Sequence, residues 1–219
     1  MGFWYRIGHT IAKLLGKFMF SFRVINRGPL DQMEGGTIIA SNHVSFLDPP
    51  LIGSTIRTPI YYFARKTLFD HPISNYLFTR CNALPVNQEK PELSVLKQII
   101  QLLKDEEQVL IFPEGERSWD GTLNMEGQPG IGMIVTKAKV PVIPVRLYGA
   151  ENALPRGGKK LVKTPVTLVV GEPIDFSSVL EDKSVGAKDK YQLIANRIME
   201  AIADLPLPED DSDHSPERS

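Results

Sequence analysis

The stretch TIIASNHVSFLDPP, residues 37–50, decides the fold. TIIA is β-branched and apolar, the composition of a short buried strand. Asp48 followed by Pro49 marks a helix start, with Asp as N-cap and Pro at the first helical position. A strand that turns straight into a helix is the unit from which α/β folds are built. It delivers His43 at the strand's end, where such folds commonly place ligands.

Outward from this unit the same alternation continues. Short β-branched or apolar runs recur at FRVIN, IYYFA, ALPV, QVLIF, VIPVRLY and VTLVV, with helix-like stretches near 50–56, 67–79, 91–105, 129–138 and 188–204. The pattern predicts an α/β fold with a central, mostly buried mixed sheet flanked by helices. Segment 91–105 is the clearest helix: Pro91 sits where a helix starts, and Leu93, Leu96, Ile100 and Leu103 form its expected buried face. Pro141 and Pro144 suit a central ladder poorly, so their strand is expected to be either an edge strand or bulged.

Residues 3–22 read as an amphipathic helix. At roughly 100° per residue, Phe3, Ile7, Ile11, Leu14 and Phe18 gather on one face, with Trp4, Leu15 and Phe22 at its shoulder. Arg6, Lys13 and Lys17 gather on another. A cationic stripe beside an aromatic and aliphatic one suits a helix lying in a membrane interface. The alternatives are a helix packed on the domain's own core and a single membrane span, which would set Lys13 and Lys17 near the apolar centre. No small-residue cleavage site follows the apolar run, so a signal peptide is not expected.

Composition sets bounds on the rest. Hydrophobic residues at 42 % and charged residues at 23 % give globular composition over 219 residues, enough for one well-buried domain. Lys and Arg number 25 against 26 Asp and Glu, a balance that offers no reason to expect nucleic acid as a partner. The distribution is uneven: residues 1–30 hold five cations and no acid, whereas residues 205–219, LPLPEDDSDHSPERS, hold five acids and one Arg. A basic start points to an anionic surface, and the acidic end reads as a disordered tail. Cys81 is the only cysteine, which rules out an intrachain disulfide and fits a small apolar residue better than a nucleophile. His9, His43, His71 and His214 are scattered, with no metal-ligand spacing.

Two segments carry chemistry. If the turn from His43 to Asp48 folds back, the carboxylate meets the imidazole, selects the tautomer that leaves Nε2 free, and makes a general-base pair. The competing readings are an Asp48 that only caps its helix and a His43 that only hydrogen-bonds in the core. The second segment is VLIFPEGERS, residues 109–118, again a strand running into a turn. Gly115 allows a tight bend, Arg117 can grip a phosphate through paired charge-assisted hydrogen bonds, and Ser118 adds a hydroxyl. The competing reading is an Arg117 that only pairs with Glu114 at the surface. The Gly-Lys-Ser/Thr ending of a Walker A loop is missing.

NHVSFLD (42–48), FPEGERS (112–118), VPVIPV (140–145) and ARK (64–66) with Leu68 jointly resemble the motifs of the glycerolipid acyltransferase family that includes the 1-acyl-glycerol-3-phosphate acyltransferases. The resemblance covers about residues 37–147. It implies that His43 deprotonates the acceptor hydroxyl and Asp48 orients it. Arg117 would hold the acceptor's phosphate, with Glu114 and Gly115 shaping the turn and Ser118 beside it. Val142, Ile143 and Pro144 would wall the acyl or acceptor pocket. Two positions depart from the family's pattern. NALPVNQ (82–88) ends in Gln88 where an Arg is usual, which directs attention to Lys66 or Arg80 as substitute phosphate ligands, and Glu116 stands where Thr is usual.

The implied activity is an acyltransferase of phospholipid biosynthesis. It would move a fatty acyl group from acyl-CoA or acyl carrier protein to lysophosphatidate, giving phosphatidate, with no cofactor and no metal. Transfer is expected to be direct, with an acyl-enzyme on Ser45 as the rival mechanism. Glycerol 3-phosphate or another lysophospholipid is the alternative acceptor, and a non-catalytic membrane lipid-binding scaffold the alternative function. On this reading residues 1–25 form a membrane-associating helix, 26–204 the catalytic domain, and 205–219 the tail. The protein would sit on the cytoplasmic face of a membrane, peripheral or monotopic.

Overall fold

The structure is a computed structural model, and it describes residues 2–87, 93–119, 121–154, 157–158 and 160–207. Gln88, Pro91 and residues 208–219 of the acidic tail lie outside the described residues. Each of the β-rich runs becomes a strand. The chain runs through helix α1 (Phe3–Met19), strand β1 (Arg23–Ile25), α2 (Gly28–Asp31), β2 (Thr37–Ser41), α3 (Asp48–Gly53) and β3 (Ile60–Arg65). It continues through a 3₁₀ turn (Lys66–Phe69), α4 (Pro72–Arg80), β4 (Ala83–Val86), α5 (Leu93–Lys104), β5 (Gln108–Ile111) and α6 (Pro129–Ala138). β6 (Val142–Tyr148), α7 (Ala150–Ala153), β7 (Thr167–Val170), α8 (Ser177–Glu181) and α9 (Ala187–Ala203) complete it.

The sheet has the order β1-β7-β6-β2-β5-β3-β4. All neighbours are parallel except β6 and β7, so the sheet is mixed. β2 lies at its centre, and all five of its residues are buried. Ile39 enters one core with Leu51 and Ile52 of α3, while Ile38 and Ala40 enter the other with α5, α6 and α9. Burial on both faces explains why TIIA is continuously apolar instead of alternating. From β2 the chain leaves over one face through α3. From the adjacent β5 it leaves over the opposite face through α6, toward β6 on the far side of β2. Loops that diverge this way open a crevice at the strands' carboxyl ends.

Several expectations are corrected. β6 is not an edge strand; it lies between β2 and β7. Its proline is accommodated by a bulge in the neighbouring chain, which carries one residue more than β6 between the Val145–Val170 pair and the Val142–Ile174 bridge. Pro85 lies on an edge strand, β4. In α5, Ile99 and Leu103 are the buried residues and Leu93 is exposed, because the helix turns Leu96 and Val95 toward the crevice.

α1 is shorter than expected and ends at Met19. It packs on α3 through its small side, with Tyr5, Ala12 and Gly16 buried. A Cβ on Gly16 would lie 3.2 Å from Phe22 and 3.4 Å from Leu51. The Tyr5 hydroxyl accepts a hydrogen bond from the Ile60 amide at 3.0 Å. The row Phe3, Ile11, Leu14 and Phe18 faces outward. Phe20 is fully buried and β1 pairs with β7, so the chain has already entered the sheet before residue 25, the boundary expected from sequence. Among the described residues no helix is long and apolar enough to cross a membrane.

Candidate active site

His43 lies in the turn after β2, and its Nδ1 is 2.7 Å from Asp48 Oδ2. The same oxygen accepts the backbone N–H groups of Val44 at 2.7 Å and Ser45 at 2.8 Å. Asp48 is the first residue of α3 and not its N-cap, which is Leu47, and none of its side-chain hydrogen bonds goes to its own helix. It reaches backward instead, curling the turn around its carboxylate. The capping-only reading of Asp48 is therefore set aside. The buried carboxyl group meets two amides and the ring, and an imidazole that donates to it from Nδ1 has Nε2 free to accept a proton.

The segment after β5 closes over this turn. Glu114, buried, accepts the His43 amide at 2.8 Å on Oε1 and the Asn124 amide at 3.2 Å on Oε2. Burial pushes its carboxyl up and the charge of Asp48 adds to that, while the two amides oppose it. The Ser118 amide donates to the His43 carbonyl at 2.8 Å. Gly115 has φ +81°, and a Cβ there would sit 3.0 Å from Gln128 Cγ, so a side chain at this bend would be strained.

Two aromatic rings hold the functional groups from the side. Phe112 stacks on His43 with centroids 3.9 Å apart and planes 14° apart. Phe46 carries the Arg117 guanidinium 3.5 Å above its ring. Arg117 is buried, so the surface-only reading of that residue does not hold. Asn42 joins the turn to β6 by a pair of hydrogen bonds to Leu147, its side-chain amide donating to the Leu147 carbonyl at 2.9 Å and accepting the Leu147 backbone N–H at 2.7 Å. Asn42, Phe46, Phe112 and Asn124 carry no expected role in the sequence. The aromatics inside the two motifs were the available signal; the contact of Asn42 with a residue 105 positions away left none.

His43, Phe112, Glu114 and Arg117 line one end of an open cleft of about 1070 Å³ between α5, α6 and the carboxyl ends of β3, β4 and β5. His43, Glu114, Gly115, Glu116, Arg117, Ser118 and the exposed Trp119 form the polar end. Phe63, Val86, Leu96, Ile99, Ile131 and Ile134 form an apolar wall. Glu116 is exposed at the rim.

Other expected site residues fall elsewhere. Val142, Ile143 and Pro144 are buried in β6, with Val142 and Ile143 pointing into the two cores, and none lines the cleft. Lys66 and Arg80 are exposed and also off the cleft. Arg80 ends α4, which packs toward α1 and not toward α5 or α6, and its guanidinium lies 5.2 Å over Tyr76. Ser45 is fully buried, with its hydroxyl donating to the Leu154 carbonyl at 3.1 Å and accepting the Leu47 amide at 3.3 Å. Cys81 sits beneath α1 near Gly8, its thiol pushed up by burial, which disfavours the thiolate.

A histidine–carboxylate pair and a buried arginine thus meet at one crevice of an α/β sheet, and the comparisons with known proteins name the class. The acyltransferase family model matches residues 21–148, more than half of the chain, and the protein belongs to that family. It is 32 % identical over 188 residues to the 1-acyl-sn-glycerol-3-phosphate acyltransferase of Bacillus subtilis (strain 168), covering 84 % of this chain and 90 % of that one. It is 30 % identical over 177 residues to a chloroplastic 1-acyl-sn-glycerol-3-phosphate acyltransferase of Arabidopsis thaliana, covering 77 % of this chain and about half, 49 %, of the plant protein. The crystal structure of the 1-acyl-sn-glycerophosphate acyltransferase of Thermotoga maritima has the same fold, with a TM-score of 0.71 at 22 % identity over 94 % of this chain and 81 % of that one.

Proposed function

We propose that the protein transfers a fatty acyl group from a thioester donor to the free hydroxyl of 1-acyl-glycerol 3-phosphate, giving phosphatidate. The observation that carries this reading is the His43–Asp48 pair at 2.7 Å, facing a cleft that also holds Arg117. His43 Nε2 takes the proton of the acceptor hydroxyl as its oxygen attacks the thioester carbonyl. Asp48 holds the resulting imidazolium. The tetrahedral intermediate collapses to the ester, the C–S bond breaks, and the thiolate takes the proton back from His43. Arg117 grips the acceptor phosphate, and Phe46 holds the guanidinium plane. The acyl chain lies along the apolar wall of Phe63, Leu96, Ile99 and Ile131. Much of the rate gain comes from holding both substrates together in this cleft.

Acyl-CoA or acyl carrier protein is the donor, and the site of action is a membrane surface met by the outward row of α1. Glycerol 3-phosphate or another lysophospholipid is the alternative acceptor, since the Arg117 end of the cleft suits any phosphate monoester of glycerol. Against a non-catalytic scaffold stands the assembly of His43, Asp48, Glu114 and Arg117 around one cleft. The test is a panel of acceptors incubated with acyl-CoA and with acyl-loaded carrier protein. The expected product is phosphatidate from lysophosphatidate. Turnover confined to glycerol 3-phosphate, or none with any pair, overturns the assignment.

A further inference from the structure

Helix α4 carries its apolar stripe on the outside of the protein. Ile73, Tyr76, Leu77 and Arg80 follow the i, i+3, i+4, i+7 spacing that places side chains on one helical face. Such a stripe ordinarily packs inward. Here Ile73 is 66 % exposed, Tyr76 46 % and Leu77 43 %, and no residue of α4 is buried.

The stripe is continuous with the outward row of α1. Tyr76 meets Trp4 edge to face with centroids 5.7 Å apart, and Trp4 meets Phe3 in the same manner at 5.6 Å. Phe3 is itself 71 % exposed. Both helices carry exposed cations, Arg6, Lys13 and Lys17 on α1 and Arg80 on α4, and the segment leading into α4 adds exposed Arg65 and Lys66 against one exposed acid, Asp70. Neither helix contains an acidic side chain. An apolar surface with Trp and Tyr at its seam and cations on both of its helices matches the chemistry of an anionic bilayer interface. A second copy of this chain on the same face would set cations against cations.

We propose that α4 is a second lipid-facing element, so that the protein seats on an anionic lipid surface through α1 and α4 together. This rests on the reading of α1 as interfacial and extends it. A single helix lying in an interface leaves the domain free to roll about the helix axis. A second contact off that axis stops the roll and fixes the direction in which the cleft faces. Arg80, excluded from the cleft, then meets lipid headgroups instead of the substrate's phosphate.

Vesicle flotation of the full chain on mixed phosphatidylglycerol and phosphatidylcholine tests this, with Ile73→Glu/Leu77→Glu on α4 and Ile11→Glu/Phe18→Glu on α1. All four side chains are exposed, so thermal melts should match wild type; Ile73→Ser/Leu77→Ser replaces the α4 variant if it does not fold. The expected result is a fall in partitioning of about tenfold for each variant, from the loss of two inserted apolar side chains. If the α4 variant floats like wild type while the α1 variant does not, the inference fails and the reading of α1 stands. If both float like wild type, both fail. If sedimentation shows a dimer that only the α4 variant dissolves, with flotation unchanged, the face belongs to a second copy and the inference is overturned.

Discussion

The backbone N–H of His43 donates to Glu114 Oε1 at 2.8 Å, so the carboxylate of one motif holds the main chain of the other. With Asn124 on its second oxygen, Glu114 spans the loop that follows β5 and the turn that follows β2. Its action on the imidazole is through position. Burial raises its carboxyl above the ordinary 4.5, so the fold favours the protonated acid. That contribution is full below 4.5 and is lost as pH rises through the folded value. Denaturant titrations should therefore show the stability difference, wild type minus Glu114→Gln, falling as pH rises from 4.5. A difference that is flat or rises with pH removes the burial account. Glu114→Ala, which leaves the His43 and Asn124 amides without their acceptor, should cost about 1–3 kcal/mol at neutral pH.

His43→Ala should abolish turnover by roughly 10²–10⁴-fold while the thermal melt stays near that of wild type. Asp48→Asn should lower turnover as well, because an amide can neither hold the tautomer as firmly nor stabilise the imidazolium. Wild-type turnover in purified His43→Ala would falsify the general-base assignment.

Arg117→Ala should raise KM for the phosphate-bearing acceptor more than for the donor, and Arg117→Lys should rescue it only partly. The ammonium of lysine cannot reproduce the planar fork or its stack on Phe46. Steady-state kinetics with both acceptor and donor varied decides the matter. Equal effects on the two substrates, with the fold preserved, would move Arg117 off the acceptor phosphate.

Ser45→Ala should keep most of the activity and lose about 1 kcal/mol of stability, the usual worth of a hydrogen bond such as that to Leu154. A hydroxyl donating to a carbonyl in a fully buried site is not placed to attack a thioester. Mass spectrometry of enzyme quenched during turnover with acyl donor should find no acyl-serine; a covalent adduct at Ser45 would replace direct transfer with a two-step route.

Charge reversal at Lys13 and Lys17 should weaken binding to anionic vesicles much more than to neutral ones, each cation contributing about 1 kcal/mol near the surface. Turnover of a short-chain, monomeric acceptor should survive, since neither residue lines the cleft. Collapse of that activity together with the melt would make α1 a core element and not an interfacial one.

Much of this molecule was legible in one dimension wherever a local rule governs. The strands announced themselves because a strand buried on both faces has little choice but β-branched and apolar residues, as in TIIA. The meeting of His43 with Asp48 was legible because a turn of five residues can close on itself. The rows of α1 followed from helical periodicity alone. The short helices α2, α7 and α8 gave no such period and went unread.

Local sequence therefore specified the list of strands, the amphipathic first helix and the closeness of His43 to Asp48, because each depends on neighbours a few positions apart. Tertiary structure alone decided the rest. Strand order put β6 inside the sheet despite Pro144, and so took Val142, Ile143 and Pro144 into the two cores and away from the cleft. The clamp of Glu114 on His43 joins residues 71 positions apart, and that of Asn42 on Leu147 joins residues 105 apart. No local preference encodes such distances; the packing of α3 and α6 on opposite faces of one sheet brings them about. The same packing turned the small side of α1 inward and left its aromatic row facing out, a choice between two faces that periodicity defines but cannot make.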